Sequence, residues 1–180
     1  MLLFMVKLNI GCGPNVFPYP GWVNYDREVA SLLAYFKGLV EVGFRTAAEW
    51  QVPLLRYLKD GHEVDLRQRD IRDGFPDHSD GSVDGIYLGQ VIEHLNPIYE
   101  TPKLLTECRR MLRPEGVLRI TTPDLDLLID AYKNGMMAQF TRDQPAFYET
   151  FDPSGQLALL MYGASGPSCT WNNYEGHMFL

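Results

Sequence analysis

The stretch LNIGCG, residues 8–13, constrains this chain more than any other. A run of apolar, strand-forming residues, MLLFMVKLNI with Lys7 as its charged break, leads directly into two glycines one residue apart. A run of this kind reads as a strand covered on both faces. Gly11 and Gly13 let the backbone turn sharply and come close to a ligand, because neither carries a Cβ. A second short run, WVNY, ends at Asp26. A carboxylate at the tip of the neighbouring strand accepts hydrogen bonds from a ribose diol in nucleotide-binding sheets. The same residues also fit a glycine turn that holds no ligand.

The residues after the glycines narrow the choice. No third glycine opens a helix; Pro14, Asn15 and then VFPYPG come instead. A stretch so rich in proline and aromatic residues does not open a long helix at once. A pyrophosphate site thereby loses its anion-binding helix N-terminus. No Lys-Ser or Lys-Thr pair comes after them, which excludes a P-loop. At 180 residues the chain is long enough for one domain with its own core. We divide it into a cofactor-binding core, residues 1–123, and a cap or substrate region, residues 124–180. Acidic residues outnumber basic ones by 23 to 16, a formal charge of −7, which argues against a general grip on nucleic acid. Arg109, Arg110 and Arg113 fit a helix end, whereas Arg67, Arg69 and Arg72 offer a local basic patch for a phosphorylated acceptor. Cys12, Cys108 and Cys169 are dispersed and lack metal-ligand spacing, and the four histidines form no cluster. No metal is therefore expected, and the cysteine usage favours a reducing compartment. The N-terminal run is too short to span a bilayer and lacks the pattern of a secretory leader, so a cytoplasmic protein is expected.

Periodicity and turn residues predict strands at 4–10, 22–25, 62–66, 83–88 and 117–122. Helices are expected over 27–59 with a break near 38–45, over 91–95, and over 99–111 with a stripe of Leu104, Leu105, Cys108 and Leu112. RPEG at 113–116 reads as a turn. DLDLLIDAYKNGMMAQF, residues 124–140, reads as one helix, and another begins near Gln156. No sixth or seventh strand is predicted. Strands and helices in alternation make an α/β fold with a mostly parallel sheet and helices on both faces. Ligands bind beyond the carboxyl ends of such strands. Asp26, Asp70, Gln90 and Pro123 all come just after predicted strand ends.

These residues together resemble the class I S-adenosylmethionine-dependent methyltransferases, most of all the branch of small type 11-like methyltransferases. The likeness rests on LNIGCG, PGWVNYD at 20–26, FPDHSDGSVDGIY at 75–87, QVIEHL at 90–95, LLTECRRMLRPEGVLRITTPDL at 104–125 and YEGHMF at 174–179. The resemblance implies a Rossmann-like sandwich and S-adenosyl-L-methionine as cofactor. It implies that Gly11, Cys12 and Gly13 lie under the methionine part and that Asp26 holds the ribose. Asp70 and Ile71 match residues near the adenine. Asn9, Arg27, Gln90 and His94 complete the cofactor-binding set, with Gln90 standing where the family commonly has histidine. Glu93 and His94 match an EH pair, Pro123 and Asp124 a proline-aspartate pair, and His177 a histidine near the family's C-terminal region. The family continues past that histidine with a helix and two further strands. The sheet is accordingly expected to be shortened at its C-terminal strands, its fifth strand covered by a partner subunit or by residues 126–173.

The expected activity is methyl transfer to a small-molecule or glycan acceptor. His94, Asp124 and His177 are the candidates for a general base where the acceptor is a hydroxyl. Each also has a structural reading. His94 fits a structural hydrogen-bond donor, Glu93 a loop anchor, Asp124 an N-cap, His177 a fold contact, and Asp70 a solvated loop carboxylate. Two other classes stand beside the enzyme. One is a cofactor-binding assembly or regulatory subunit without activity. The other is a nicotinamide-dependent enzyme, against which the missing third glycine argues.

Overall fold

The structure of the chain, a computed structural model, describes residues 5–45, 51–141 and 149–162. Its elements run β1 (Lys7–Ile10), β2 (Trp22–Asp26), α1 (Val29–Glu41), α2 (Val52–Lys59), β3 (Leu66–Gln68), β4 (Val83–Gly89), α3 (Glu100–Met111), β5 (Leu112–Thr121), α4 (Leu125–Lys133), α5 (Ala138–Thr141) and α6 (Pro153–Tyr162). Single 3-10 turns at Ile71–Asp73 and Ile92–His94 precede β4 and α3 respectively. The chain forms two compact units, Met1–Val91 with Pro97–Thr121, and Ile92–Asn96 with Thr122–Leu180.

The first unit holds a five-stranded sheet of order β3-β2-β1-β4-β5, parallel throughout and flanked by helices. This is the α/β arrangement, a parallel sheet with helices, expected from the alternation of strands and helices. The chain order reverses between β1 and β4, the topological position beyond whose carboxyl ends sheets of this kind bind ligands. Strand side chains alternate between faces. In the register Leu8 aligns with Val23, Ile86 and Leu118, and Ile10 with Tyr25, Leu88 and Ile120, making one face apolar. Leu8, Ile10, Tyr25 and Leu88 there are wholly buried, with Phe75 among the fully buried residues. The opposite face carries Asn9, Asn24, Tyr87 and Arg119 in one row.

Helices α1 and α2 bury Phe36, Leu39, Leu54 and Leu55 together with Cys12 and Val16 from the loop after β1. Helix α3 starts with Glu100 and tolerates Pro102 in its first turn, where an N–H has no helical acceptor anyway. It buries Leu104, Cys108 and Met111, a spacing of four and three, while Leu105 and Leu112 of the expected stripe are only half-buried.

Four expectations change. The third strand is Leu66–Gln68 rather than 62–66, because it pairs with the carboxyl half of β2, Asn24 to Leu66 and Asp26 to Gln68. His62 belongs to the end of α2 instead: its N–H donates to the Tyr57 carbonyl and its ring stacks on Tyr57 at 4.4 Å. RPEG is an outward bulge inside β5, since Val83 pairs with Leu112 and Gly85 already pairs with Val117. Glu115 turns there at φ 65°. The single helix expected over 124–140 divides, with Asn134 capping α4 and Gly135 at φ 68° ahead of α5. Last, α6 begins at Pro153, three residues before Gln156. Among the described residues the sheet has five strands, and Val117 on the outer strand is 64% exposed.

A carboxylate–guanidinium knot fastens α3 to the segment leading into β4. Glu107 Oε1 accepts from the Phe75 N–H at 3.0 Å and from Arg110 Nη2 at 2.6 Å. Arg110 also donates to Asp80 Oδ1 and to the carbonyls of His78 and Phe75. The hydrogen bonds from Arg110 lead in pulling the Glu107 carboxyl from 4.5 down to about 2, against the cost of burial. A carboxyl depressed by folding stabilises the fold above its unfolded pKa and loses that contribution as pH falls toward its folded value. Stability should therefore fall by on the order of 2–3 kcal/mol between about pH 5 and about pH 2 through this group. Urea unfolding across that range should show a flatter curve for Glu107→Gln; parallel curves for the two proteins would refute the assignment.

Candidate functional site

The crossover from β1 to β2, residues 11–21, contains no helix. Its backbone groups therefore need partners from elsewhere, since buried amides left unpaired are costly. Two asparagines embedded in otherwise apolar strands supply them. Asn9 and Asn24 are register partners and fully buried, with Asn9 Nδ2 donating to Asn24 Oδ1 at 2.9 Å. The second Asn9 proton goes to the Asn15 carbonyl at 2.7 Å. Asn24 Oδ1 also accepts from the Phe17 N–H, and its Nδ2 donates to the carbonyls of Phe17 and Asp65. All four hydrogen-bonding positions of Asn24 are in use. The loop is thereby held across the polar face, where Phe17 packs on Trp22 at 4.6 Å and on Tyr87 at 5.6 Å.

Held in this way, the glycine turn has a definite geometry. Gly11 has φ 65°, and a Cβ there would stand 2.7 Å from Val91 Cγ2, so the end of β4 closes directly onto the turn. Gly13 has φ 47°, and a Cβ there would meet nothing within 4 Å. The turn is thus walled below Gly11 and open above Gly13. Its three N–H groups are all engaged: Gly11 and Cys12 donate to the Tyr25 carbonyl at 2.8 and 3.0 Å, and Gly13 donates to Asp26 Oδ2 at 2.8 Å. Oxyanions are held by free N–H groups, and this turn offers none.

Several expected cofactor contacts take definite positions. Asp26 ends β2, half-buried, and accepts from the N–H groups of Gly13 and Glu28. Two bonds leave further lone pairs on its oxygens for hydroxyl donors. Asp70 caps the Ile71–Asp73 turn through the Arg72 N–H at 2.9 Å, and Ile71 beside it is half-buried. The Arg69 N–H donates to the Asp26 carbonyl, so these two strand tips are adjoining. Gln90 is exposed at the end of β4 with φ 58°, its N–H held by the Thr121 carbonyl at 2.8 Å. A side chain in that left-handed conformation costs on the order of 1–2 kcal/mol, and such strain gathers at functional sites.

Other expected contacts are turned elsewhere. Asn9 gives both amide protons to the protein. The Cys12 side chain enters the α1–α2 cluster, and burial first, then the charge of Asp26, raise its thiol to about 12, so it is a small apolar residue rather than a nucleophile. Arg27 is exposed and pairs with Glu28 at 3.4 Å. The basic patch expected from Arg67, Arg69 and Arg72 is neutralised by Asp65 and Asp77, by Asp77, and by Asp70 and Glu100. A hollow of about 610 Å³ between residues 71–76 and α3 lies apart from the glycine turn, and Glu107 and Arg110 in its wall are already satisfied by each other.

In the second unit, His94 ends the Ile92–His94 turn. Glu93 Oε2 and His94 Nδ1 are both closed off from solvent and have no hydrogen-bond partner among the described residues. Asp124 is exposed and N-caps α4, its Oδ1 accepting from the Leu127 N–H at 3.0 Å. His177 lies outside the described residues. Among the described residues no group of three or more His, Cys, Asp or Glu side chains could hold a metal ion, and no helix is long and apolar enough to cross a membrane.

A family model described as a methyltransferase domain matches residues 40–120, a stretch that begins beyond the glycine turn and Asp26. Solved structures similar to the chain include a SAM-dependent methyltransferase from Archaeoglobus fulgidus, at 18% identity over 73% of this chain and 52% of that one, with a TM-score of 0.49. The PH0226 protein from Pyrococcus horikoshii OT3 is 19% identical over 71% of this chain and 53% of its own, with a TM-score of 0.44. The [4+2]-cyclase SpnF is 18% identical over 67% and 40%, with a TM-score of 0.42. The chain thus spans about half the length of these structures or less. At this level the likenesses say nothing of its chemistry. No curated protein matches the chain.

The asparagine pair carries a direct prediction. Asn24→Val leaves the half-buried Phe17 amide and carbonyl and one proton of the buried Asn9 without their partner, and should lower stability by about 3 kcal/mol. Asn15→Ala, which retains the carbonyl that Asn9 uses, should stay within about 0.5 kcal/mol of the wild type. Denaturant midpoints decide it; equal losses in the two variants would show that the asparagine side chains do not hold the loop.

Proposed function

We propose that the chain binds S-adenosyl-L-methionine at the carboxyl ends of β1, β2 and β4 and transfers its methyl group to a small-molecule or glycan acceptor. The observation that carries this reading is the glycine turn, with no free N–H, no helix opening behind it, and open space above Gly13. A pyrophosphate cofactor needs the anion-binding groups that this turn lacks. A nucleoside cofactor with no phosphate needs only close backbone approach and an acceptor for its ribose. Gly13 provides the first and Asp26 the second. Ile71 offers apolar surface suited to an adenine ring, and Asp70 is beside it. The match of residues 40–120 to a methyltransferase domain supports the same assignment.

When bound, the cofactor supplies a methyl group already activated on a sulfonium, so the protein's work is chiefly alignment and exclusion of water. Asp26 orients the ribose through its remaining lone pairs. Gln90, fixed in a strained backbone conformation where the crevice opens, orients groups near the reacting end. A hydroxyl acceptor must lose its proton, and His94, whose Nδ1 has no partner among the described residues, is one candidate to accept it. Asp124, through the oxygen that does not cap α4, and His177 are the other candidates for the same role.

Calorimetry with S-adenosyl-L-methionine, S-adenosylhomocysteine and NAD tests the cofactor. Heat is expected from the first two and not from the third, and Asp26→Asn should weaken S-adenosylhomocysteine at least about tenfold. His94→Ala should retain that binding and lose methyl transfer in an acceptor screen with labelled cofactor. Absence of binding by both sulfur nucleosides would overturn the assignment; binding without turnover on any acceptor would leave a cofactor-binding subunit in its stead.

A further inference from the structure

Tyr25 stands between the parts of the proposed cofactor site and belongs to none of them. Its carbonyl accepts from Gly11 and Cys12 of the glycine turn, and the next residue in the chain is Asp26. Its side chain is on the opposite, apolar face and has no solvent exposure. A buried phenol hydroxyl needs a hydrogen-bond partner, and here it meets three polar groups. It donates to Asp77 Oδ2 at 2.6 Å, has His78 Nε2 at 2.9 Å, and receives a longer contact from Arg67 Nη1 at 3.4 Å. Since the phenol proton goes to Asp77, His78 Nε2 must carry a proton and donate it. Burial, then the bond to Asp77, pushes the Tyr25 phenol up to about 12, so it remains a donor throughout the working range.

Asp77 is tied in turn to Arg69 at 2.9 Å, and the Arg69 N–H is bound to the Asp26 carbonyl. The segment closed between these two attachments, residues 69–77, contains Asp70 and Ile71. One side chain therefore fastens the far end of the adenine segment to the strand that carries the ribose carboxylate.

We propose that the Tyr25–Asp77 hydrogen bond is a positioning device, which sets the spacing between Asp26 and the Asp70–Ile71 segment and thereby the grip on the adenosine half of the cofactor. Tyr25 touches no ligand; it acts through Asp26 and through the loop. The inference rests on the cofactor assignment, deepens it, and separates from it experimentally.

The test is a double-mutant cycle of Tyr25→Phe and Asp77→Ala, read by calorimetry with adenosine, 2′-deoxyadenosine and S-adenosylhomocysteine well below each variant's Tm. Tyr25→Phe should weaken adenosine and S-adenosylhomocysteine about tenfold, Asp77→Ala, which also releases Arg69, at least as much, and the double variant should weaken them little beyond Asp77→Ala alone. Preference for adenosine over its 2′-deoxy form should shrink in the variants, because the ribose carboxylate has lost its register with the adenine segment. A merely structural bond would lower Tm and leave that preference intact. Unchanged preference, or single losses that multiply in the double variant, would overturn the positioning role. Should Tyr25→Phe fail to fold, Asp77→Ala removes the acceptor of the same bond, and comparison with Arg69→Ala separates the loss of the Arg69 tie. Wild type that binds none of the three nucleosides would overturn the cofactor assignment and this inference together, whereas a wild type that binds beside indifferent variants would overturn this inference alone.

Discussion

The pairing of Asn9 with Asn24 across β1 and β2 is the interaction on which the candidate site depends. Parallel neighbours need a crossover of about a dozen residues, usually a helix that satisfies its own backbone. Here the crossover is residues 11–21, rich in proline and without a helix. Its polar groups are met by two side-chain amides rising from the sheet. Buried amides that are fully bonded fix a unique arrangement, and half-bonded ones are worse than an apolar core. The fixed loop then leaves open space on the Cβ side of Gly13 and brings Phe17 over the sheet.

A second consequence concerns charge. Without a helix behind it, and with its N–H groups bonded to Tyr25 and Asp26, the turn presents no positive field to a ligand. The arginines of the neighbouring segment are likewise matched by carboxylates. The turn and its neighbouring segment therefore hold their N–H and guanidinium groups in internal bonds rather than presenting them to a phosphate. The −7 formal charge of the chain leans the same way. The strained Gln90 at the end of β4, and the atoms of Glu93 and His94 that have no partner among the described residues, are features that ordinary packing does not account for.

Legibility in the sequence differed from one segment to another for physical reasons. The strands with period-two or continuous apolar patterns, β1, β2 and β4, were readable because burial dictates their residue types. β3 was misplaced because HEVDL has the better strand composition, yet only LRQ can align with the carboxyl half of β2. Local propensity gave way to register. The division of α4 from α5 was written in Asn134–Gly135, a helix stop passed over for the apolar residues beyond it. Asp26 and the glycines stand out as candidates by spacing, and the structure joins them through the Gly13 N–H bond to Asp26. The placement of Cys12 could not be read, because its neighbours in the turn say nothing about which way its thiol points. The two asparagines were visible as polar residues interrupting apolar strands, a signal of buried hydrogen bonding that spacing motifs do not capture.

By itself the amino-acid sequence determined the class of fold, the order of strands and helices, the carboxyl-edge location of the candidate site and the exclusion of a P-loop. These come from burial patterns, glycine and proline chemistry and the spacing of a few residues, all of which are local. Only the tertiary structure decided that the turn has no free N–H, that Arg67, Arg69 and Arg72 are neutralised, that Cys12 faces the helices, and that Tyr25 links three segments. Each of those depends on groups far apart in the chain, Asn24 with Asp65 or Tyr25 with Asp77. Whether a donor is free or engaged is a property of what folding brings beside it, and no local pattern of residues encodes that.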